Sequence, residues 1–327
     1  MFQQKILRIL FIGLVLLAGL TACDKTEFQE ITDWKQLKDF PGTSRASATS
    51  FVIGDRAYIC LGRSAWNDGH LKDFWEYNSK TDTWTKKSDF PGKARVNAVG
   101  TSIDNKAYVG MGGAYTDFKV TNSFSDFWEY DTETDAWTEK APFPGSAKND
   151  IFCTSVNGKV YTVLGFDGTM RHRETWEYDP LENTWKKKAD FPESFSSSTG
   201  FSIGDDLFVG TGLRGSNYKW FYRYNLNSDI WERVCDLPKA RMLSNGMAIG
   251  ENGYILLGRF WNGTLNGGKL LSDIVEYDPA LDIWKERGDF PGGARQNAIV
   301  FSIEGRGYIV MGEDDKERKS DVWSFKP

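Results

Sequence analysis

Histidine is nearly absent from this chain: 327 residues hold two, His70 and His172, and four cysteines. Nucleophilic triads need an imidazole base, the two histidines lie far apart in the sequence, and no nucleophile-elbow text accompanies either, so that chemistry is set aside. Cys60 (AYICLG) and Cys153 (DIFCTS) sit in apolar strand-like text, and the three cysteines beyond Cys23 cannot all pair. Cys60 and Cys153 read as small buried hydrophobes rather than disulfides or metal ligands. No phosphate-cradling glycine loop or calcium-loop pattern occurs, so no metal and no cofactor is expected. Excess positive charge is also lacking. Without Lys5 and Arg8 the chain carries 38 basic against 45 acidic residues, a net charge of about −7, which argues against nucleic acid as a partner. Beyond the first 22 residues no apolar run is long enough to cross a bilayer.

Those first residues are a separate segment. Lys5 and Arg8 precede the apolar run Ile9–Leu20, which has signal-sequence length, and the run ends in Leu20-Thr21-Ala22-Cys23. This looks like a bacterial lipobox. It implies a signal peptide over 1–22, lipidation of Cys23, and a polar tether to residue 30. The protein is then expected in the bacterial cell envelope, membrane-anchored, periplasmic or on the cell surface.

What is abundant is aromatic side chains, 15% of the chain, and they recur in order. Phe74–Gly92 reads FWEYNSKTDTWTKKSDFPG, and the text returns at Asp126–Gly145, Thr175–Pro192 and Ile274–Gly292. Degraded copies lie at Trp34–Gly42 and Trp220–Pro238. The closing tryptophans Trp34, Trp84, Trp137, Trp185, Trp231 and Trp284 set a period near 50 built only of strand and turn signals. Each unit reads as four antiparallel strands: small-residue strand, polar turn, apolar strand ending in glycine, variable loop, aromatic-Tyr strand, polar turn, Trp strand. The glycine-ended strands number six. The last unit stops at its third strand (DVWSF), and the orphan strand around Trp34 is the piece that completes it. The expectation is an all-β, six-bladed β-propeller over 31–327, its ring closed by the N-terminal strand.

This order of glycine, aromatic-Tyr and tryptophan resembles the kelch repeat over Ile31–Pro327. The double glycine of that repeat stands only at Gly112-Gly113; elsewhere the second glycine is Arg63, Phe166, Leu213, Arg259 or Glu313. A copper site like that of some kelch propellers needs a Cys–Tyr pair that is not apparent. Blade number, export signal and basic residues are also similar to the N-acetylneuraminate epimerase family, whose members interconvert sialic acid anomers without a cofactor.

Strand parity puts the Phe-Pro-Gly turns and the variable loops on one face. Arg45, Arg95, Lys148, Arg241 and Arg295 share one repeat position there, with Phe195 in the fourth unit. Two residues on come Ser47, Asn97, Asp150, Ser197, Leu243 and Asn297. These rings are expected to face the channel and to suit a carboxylate or a sulfated or phosphorylated sugar, although repetition favours arginines that lock neighbouring blades, since a ligand site is normally asymmetric. Trp66 and Trp261 on the variable loops are candidates for stacking on a sugar. The leading expectation is therefore a propeller binding a glycan or a protein partner. The alternatives are a sialic acid mutarotase, with Asp150 or Glu193 moving the proton and an arginine holding the carboxylate, and a structural subunit of an envelope complex.

Overall fold

The computed structural model describes residues 27–64, 69–116, 119–263 and 267–327. Six sheets are arranged as blades, each built on four antiparallel strands, in sequence order from the axis outwards in blades 1 to 5. Blade 1 runs from Thr49–Ile53 to Thr83–Lys87, blade 2 from Val99–Ile103 to Ala136–Lys140, and blade 3 from Phe152–Val156 to Thr184–Lys188. Blade 4 runs from Thr199–Ile203 to Ile230–Val234, and blade 5 from Asn245–Ile249 to Ile283–Asp289. Blade 6 takes three strands from Ile299–Lys326 and its fourth from Asp33–Gln36, with Trp34 opposite Phe325. The first strands of successive blades, including 6 and 1, lie side by side around the axis.

Burial explains the text of the strands. Every second strand buries its last four residues, because both faces are covered by neighbouring blades, so it reads as a continuous apolar run. Fourth strands of blades 1 to 4 alternate exposed and half-buried residues and carry lysine and glutamate, the usual protection of an open sheet edge.

The repeated Tyr, Asp and Trp stitch blades together. The Tyr130 hydroxyl donates to Asp135 at 2.7 Å, and Asp135 also accepts the Ser88 N–H from the end of blade 1. The Trp137 indole donates to the Ser88 carbonyl and meets the Phe90 ring edge-on at 5.3 Å. Tyr178, Asn183, Trp185 and Ala141 repeat the pattern, as do Tyr277, Asp282, Trp284 and Cys235. At the closing seam Asp82 accepts the Lys38 N–H from the N-terminal strand, so this junction is built like the others.

Two features go beyond the expected plan. The segment read as a polar tether adds a short parallel strand, Glu27–Phe28, to the outer edge of blade 5. The loop after Gly112 contains a hairpin, Gly113–Thr116 with Lys119–Ser123, raised on the upper face.

The first glycine of each kelch pair is kept for a steric reason. Gly62, Gly112, Gly165, Gly212, Gly258 and Gly312 all have φ between 83° and 123°. A Cβ on Gly258 would also lie 2.6 Å from the Met242 carbonyl oxygen. Gly258→Ala should therefore cost about 2 kcal/mol or more, from left-handed strain plus the clash, and lower the melting temperature measurably by calorimetry. The second position has no positive φ at any of the six blades, so side chains are admitted there.

Candidate functional site

Arg45, Arg95, Arg241 and Arg295 do not face the channel, which corrects the expectation for that ring. Each is at most 1% exposed, because each guanidinium is drawn into its own blade by an aspartate that opens the third strand. Arg95 binds Asp126 through both Nη atoms at 2.5 and 2.8 Å, and Nη1 also donates to the Met111 carbonyl at 2.9 Å. Arg45 with Asp73, Arg241 with Asp273 and Arg295 with Asp321 repeat this geometry. In blade 3 the pair becomes Lys148 with Glu174 at 3.0 Å. In blade 4 both charges vanish together: Phe195 takes the arginine's place and Trp220 the aspartate's, and Phe195 packs on Tyr218 where Arg95 packs on Phe124. Cation and anion change as a unit, as a structural lock requires. The carbonyls of Arg95, Lys148, Arg241, Arg295 and Arg45 also accept the N–H of Gly62, Gly112, Gly212, Gly258 and Gly312 in the preceding blade.

The next ring does reach the axis. Ser47, Asn97, Asp150, Ser197, Leu243 and Asn297 all adopt φ between 51° and 57°. Their backbones form a collar: the Asn97 N–H donates to Ser47, Ser47 to Asn297, Asn297 to Leu243, and Leu243 to Ser197. Above the collar lies a cavity of about 770 Å³ bounded by Asp150, Asn97, Asn297, Tyr115, Arg63, Arg259 and Trp261 among others. Below it, a channel of about 550 Å³ follows the first strands down the axis.

Asp150 is the carboxyl of the collar. It accepts from Asn97 Nδ2 at 2.6 Å and from Ser197 Oγ at 3.1 Å. Burial raises its pKa above the ordinary carboxyl value, opposed by the Ser197 hydrogen bond and by the charges of Arg171 and Arg63. Arg171, on the blade 3 loop, lies over Phe166 and uses Nε on the Ser196 hydroxyl at 3.0 Å. Among the described residues it makes no ion pair. Tyr115, from the raised hairpin, donates its hydroxyl to Asn149 and its backbone N–H to His70 Nε2.

The second kelch position supplies the rest. Arg63, Gly113, Phe166, Leu213, Arg259 and Glu313 each pair across with the residue preceding the collar. At the seam of blades 6 and 1 the Arg63 Nη2 meets the buried Glu313 at 2.6 Å, and Glu313 also accepts from Gln296 and Asn297. Arg259 binds Gln296 and Asp315. The lost glycines were visible in the sequence as departures from the repeat. Their meaning was not, because repeat position alone does not show that Arg63 and Arg259 bound the cavity.

Of the other expected site residues, Trp261 bounds the cavity, and its carbonyl accepts from Asn217. Glu193 is engaged by Arg214 at 2.8 Å and is not part of the cavity wall. Trp66 and Cys23 lie outside the described residues.

The Kelch motif family matches residues 150–192, which hold Asp150 and all four strands of blade 3. The chain is a six-bladed β-propeller with a kelch motif. This kelch propeller is 28% identical over 177 residues to N-acetylneuraminate epimerase of Pasteurella multocida (strain Pm70), covering 54% of the chain and 44% of that protein. It is 26% identical over 206 residues to Kelch-like protein 35 of Mus musculus, covering 62% of the chain and 33% of that protein. The matches thus span less than half of either relative. The solved structure of YjhT superposes with a TM-score of 0.75 at 16% identity, over 88% of this propeller and 96% of that chain, which shows a shared fold.

Proposed function

We propose that this propeller binds an acidic sugar of the N-acetylneuraminate class in the collar cavity and speeds interconversion of its anomers. The observation that carries the reading is Asp150, a buried carboxyl of raised pKa in the cavity wall, hydrogen-bonded to Asn97 and Ser197 and within the fields of Arg171 and Arg63. Likeness to the Pasteurella epimerase supports the choice of sugar.

Anomer exchange needs little machinery. The proton leaves the anomeric hydroxyl, the ring C–O bond breaks, and the ring oxygen takes up a proton. The open-chain carbonyl then turns its other face and the same transfers run backwards. Asp150 exchanges one of these protons, and burial, which raises its pKa, suits a carboxyl that must hold a proton as well as release it. Solvent in the open cavity exchanges the other. Arg171 holds the sugar carboxylate, and Trp261 offers a ring face to the sugar CH groups. The locks at Arg45, Arg95, Lys148, Arg241 and Arg295 keep the loops that carry these groups in place.

The leader, Cys23 and the tether belong to the same proposal. They place the propeller at a bacterial membrane, outside the cytoplasm, where it meets a free acidic sugar. A propeller that holds a glycan or a protein on this face without turnover is the second reading, since the cavity itself serves binding alone equally well.

Titration with N-acetylneuraminate checks the assignment of Arg171. Arg171→Gln should weaken binding about 10- to 100-fold, the worth of a charge-assisted hydrogen-bonded pair. An unchanged dissociation constant would remove Arg171 from the carboxylate site.

A further inference from the structure

The strand Glu27–Phe28 fixes where the N-terminal segment meets the propeller. It lies parallel to the outer strand of blade 5, with Glu27 level with Lys285 and Phe28 with Glu286. That outer strand, Ile283–Asp289, has just left a turn on the lower face, the side opposite the cavity. Because the pairing is parallel, Glu27 stands at the end nearer that turn. Cys23 is four residues before Glu27. An extended chain spans at most about 3.6 Å per residue, so Cys23 is tied within roughly 14 Å of this point on the rim of blade 5.

The lower turns are not alike. Those joining third and fourth strands read SKTDT over 79–83 in blade 1 and TETDA over 132–136 in blade 2, polar but for one alanine. Blades 3, 4 and 5 read PLENT over 180–184, LNSDI over 226–230 and PALDI over 279–283. Leu181, Ile230 and Leu281 are 90%, 51% and 61% exposed, and Phe28 on the added strand is 66% exposed. The other exposed large hydrophobics among the described residues, Met170 and Phe260, are on upper loops. Apolar tips therefore gather on three consecutive blades, the last of which receives the N-terminal segment.

These tips are held outwards. Asp179 Oδ1 accepts the Leu181 N–H at 2.9 Å, and Asp278 Oδ1 accepts the Leu281 N–H at 3.3 Å, so each leucine rides on an Asx turn. The turn carboxylates are engaged by the fold: Asp179 by Lys159, Asp278 by Lys285, Asp229 by Tyr224 and Asp282 by Tyr277. Glu182 stays exposed beside Leu181, so this rim offers apolar tips and no positive charge to lipid. Equivalent positions in a ring of blades lie near one plane across the axis, so the tips can meet a flat surface together.

We propose that the lower rim of blades 3 to 5 docks on the lipid surface that holds the anchor. Leu181, Ile230, Leu281 and Phe28 enter its interfacial layer, and the cavity mouth faces away, open to dissolved sugar. The inference rests on the reading of Cys23 as lipidated and adds an orientation to it. Acyl chains and apolar side chains hold the membrane as two signals rather than one.

The test uses the full chain, produced in a bacterium and placed in phosphatidylcholine vesicles. A nitroxide is attached at Leu181→Cys, at Leu281→Cys or, on the upper face, at Met170→Cys, with the unsubstituted chain as background. The first two labels should lose broadening by a water-soluble nickel chelate and gain broadening by oxygen, while the third stays open to nickel. Leu181→Glu with Leu281→Glu, at exposed tips where folding does not need the leucines, should return a label at Ile230→Cys to nickel. Flotation with the vesicles separates the two claims. A chain that floats with its lower labels open to nickel overturns the docking and keeps the anchor, whereas a chain that does not float overturns both. Lower labels that are open in pure lipid and shielded in native envelope fragments would give the rim to a protein partner and overturn the proposal equally.

Discussion

Arg95→Ala should remove about 3 kcal/mol of folding stability, because it empties the place of a buried guanidinium and leaves the half-buried Asp126 without its partner. Asp126 would keep its place behind the third strand with only the Trp128 indole to bond it. The Met111 carbonyl and the Phe90 and Phe124 rings would lose the guanidinium packed on them. The melting temperature should fall on the order of 10 °C. Blade 4 supplies the control, because it fills the same place with Phe195 and Trp220. The double variant R95F/D126W should recover most of the loss, since a packed apolar pair commonly matches a buried ion pair. A double variant no more stable than Arg95→Ala would show that the two positions do not act as a unit. The same locks give the protein an acid limit. Burial pushes the carboxyls of Asp73, Asp126 and Asp273 up, but their arginines more than offset this and hold all three below the ordinary aspartate value. A depressed folded-state pKa adds stability that is complete above about pH 4 and is lost as pH falls through the folded value. Urea midpoints of the parent and Arg95→Ala should therefore converge below about pH 4.

Asp150→Asn should slow anomer exchange about 10²- to 10⁴-fold while leaving sugar affinity within a few-fold, because a general acid–base group acts on the transition state more than on the bound ground state. Asparagine keeps Oδ1 for Asn97 Nδ2, and its Nδ2 donates to the Ser197 hydroxyl, which turns from donor to acceptor, so the collar should survive. Glu193→Gln is the contrasting variant. It lies against Arg214 rather than on the cavity wall, and its exchange rate should stay near that of the parent.

The sequence carried the fold because each repeated residue has a local task that repeats with it. Tyr130, Asp135 and Trp137 can be recognised by spacing, since their partners at Ser88 and Phe90 also recur at fixed offsets. Ring closure was legible in the same way, from a missing fourth strand at one end and a spare strand at the other. The site was legible only in part. Asp150, Asn97, Asn297 and Trp261 do meet at one cavity, but the arginines offered as ligand groups are buried locks, the reading that their repetition favours. Their aspartates lie 26 to 32 residues downstream, across a variable loop, and spacing does not reveal such a pairing. Arg63, Arg259 and Glu313 were seen as lost glycines. Only the φ values explain why the first glycine must stay and the second can become a functional side chain. The hairpin that brings Tyr115 over the cavity has no alternation strong enough to stand out within its loop.

The most direct test of the account is proton NMR of freshly released α-N-acetylneuraminate with the propeller from Asp24 onward. Equilibration to the β-anomer is followed beside a buffer control and beside Asp150→Asn. The account predicts faster equilibration with the parent protein, a rate near the buffer's with the variant, and broadened sugar signals with both. Sugar signals that stay sharp, with equilibration no faster than in buffer, would contradict it.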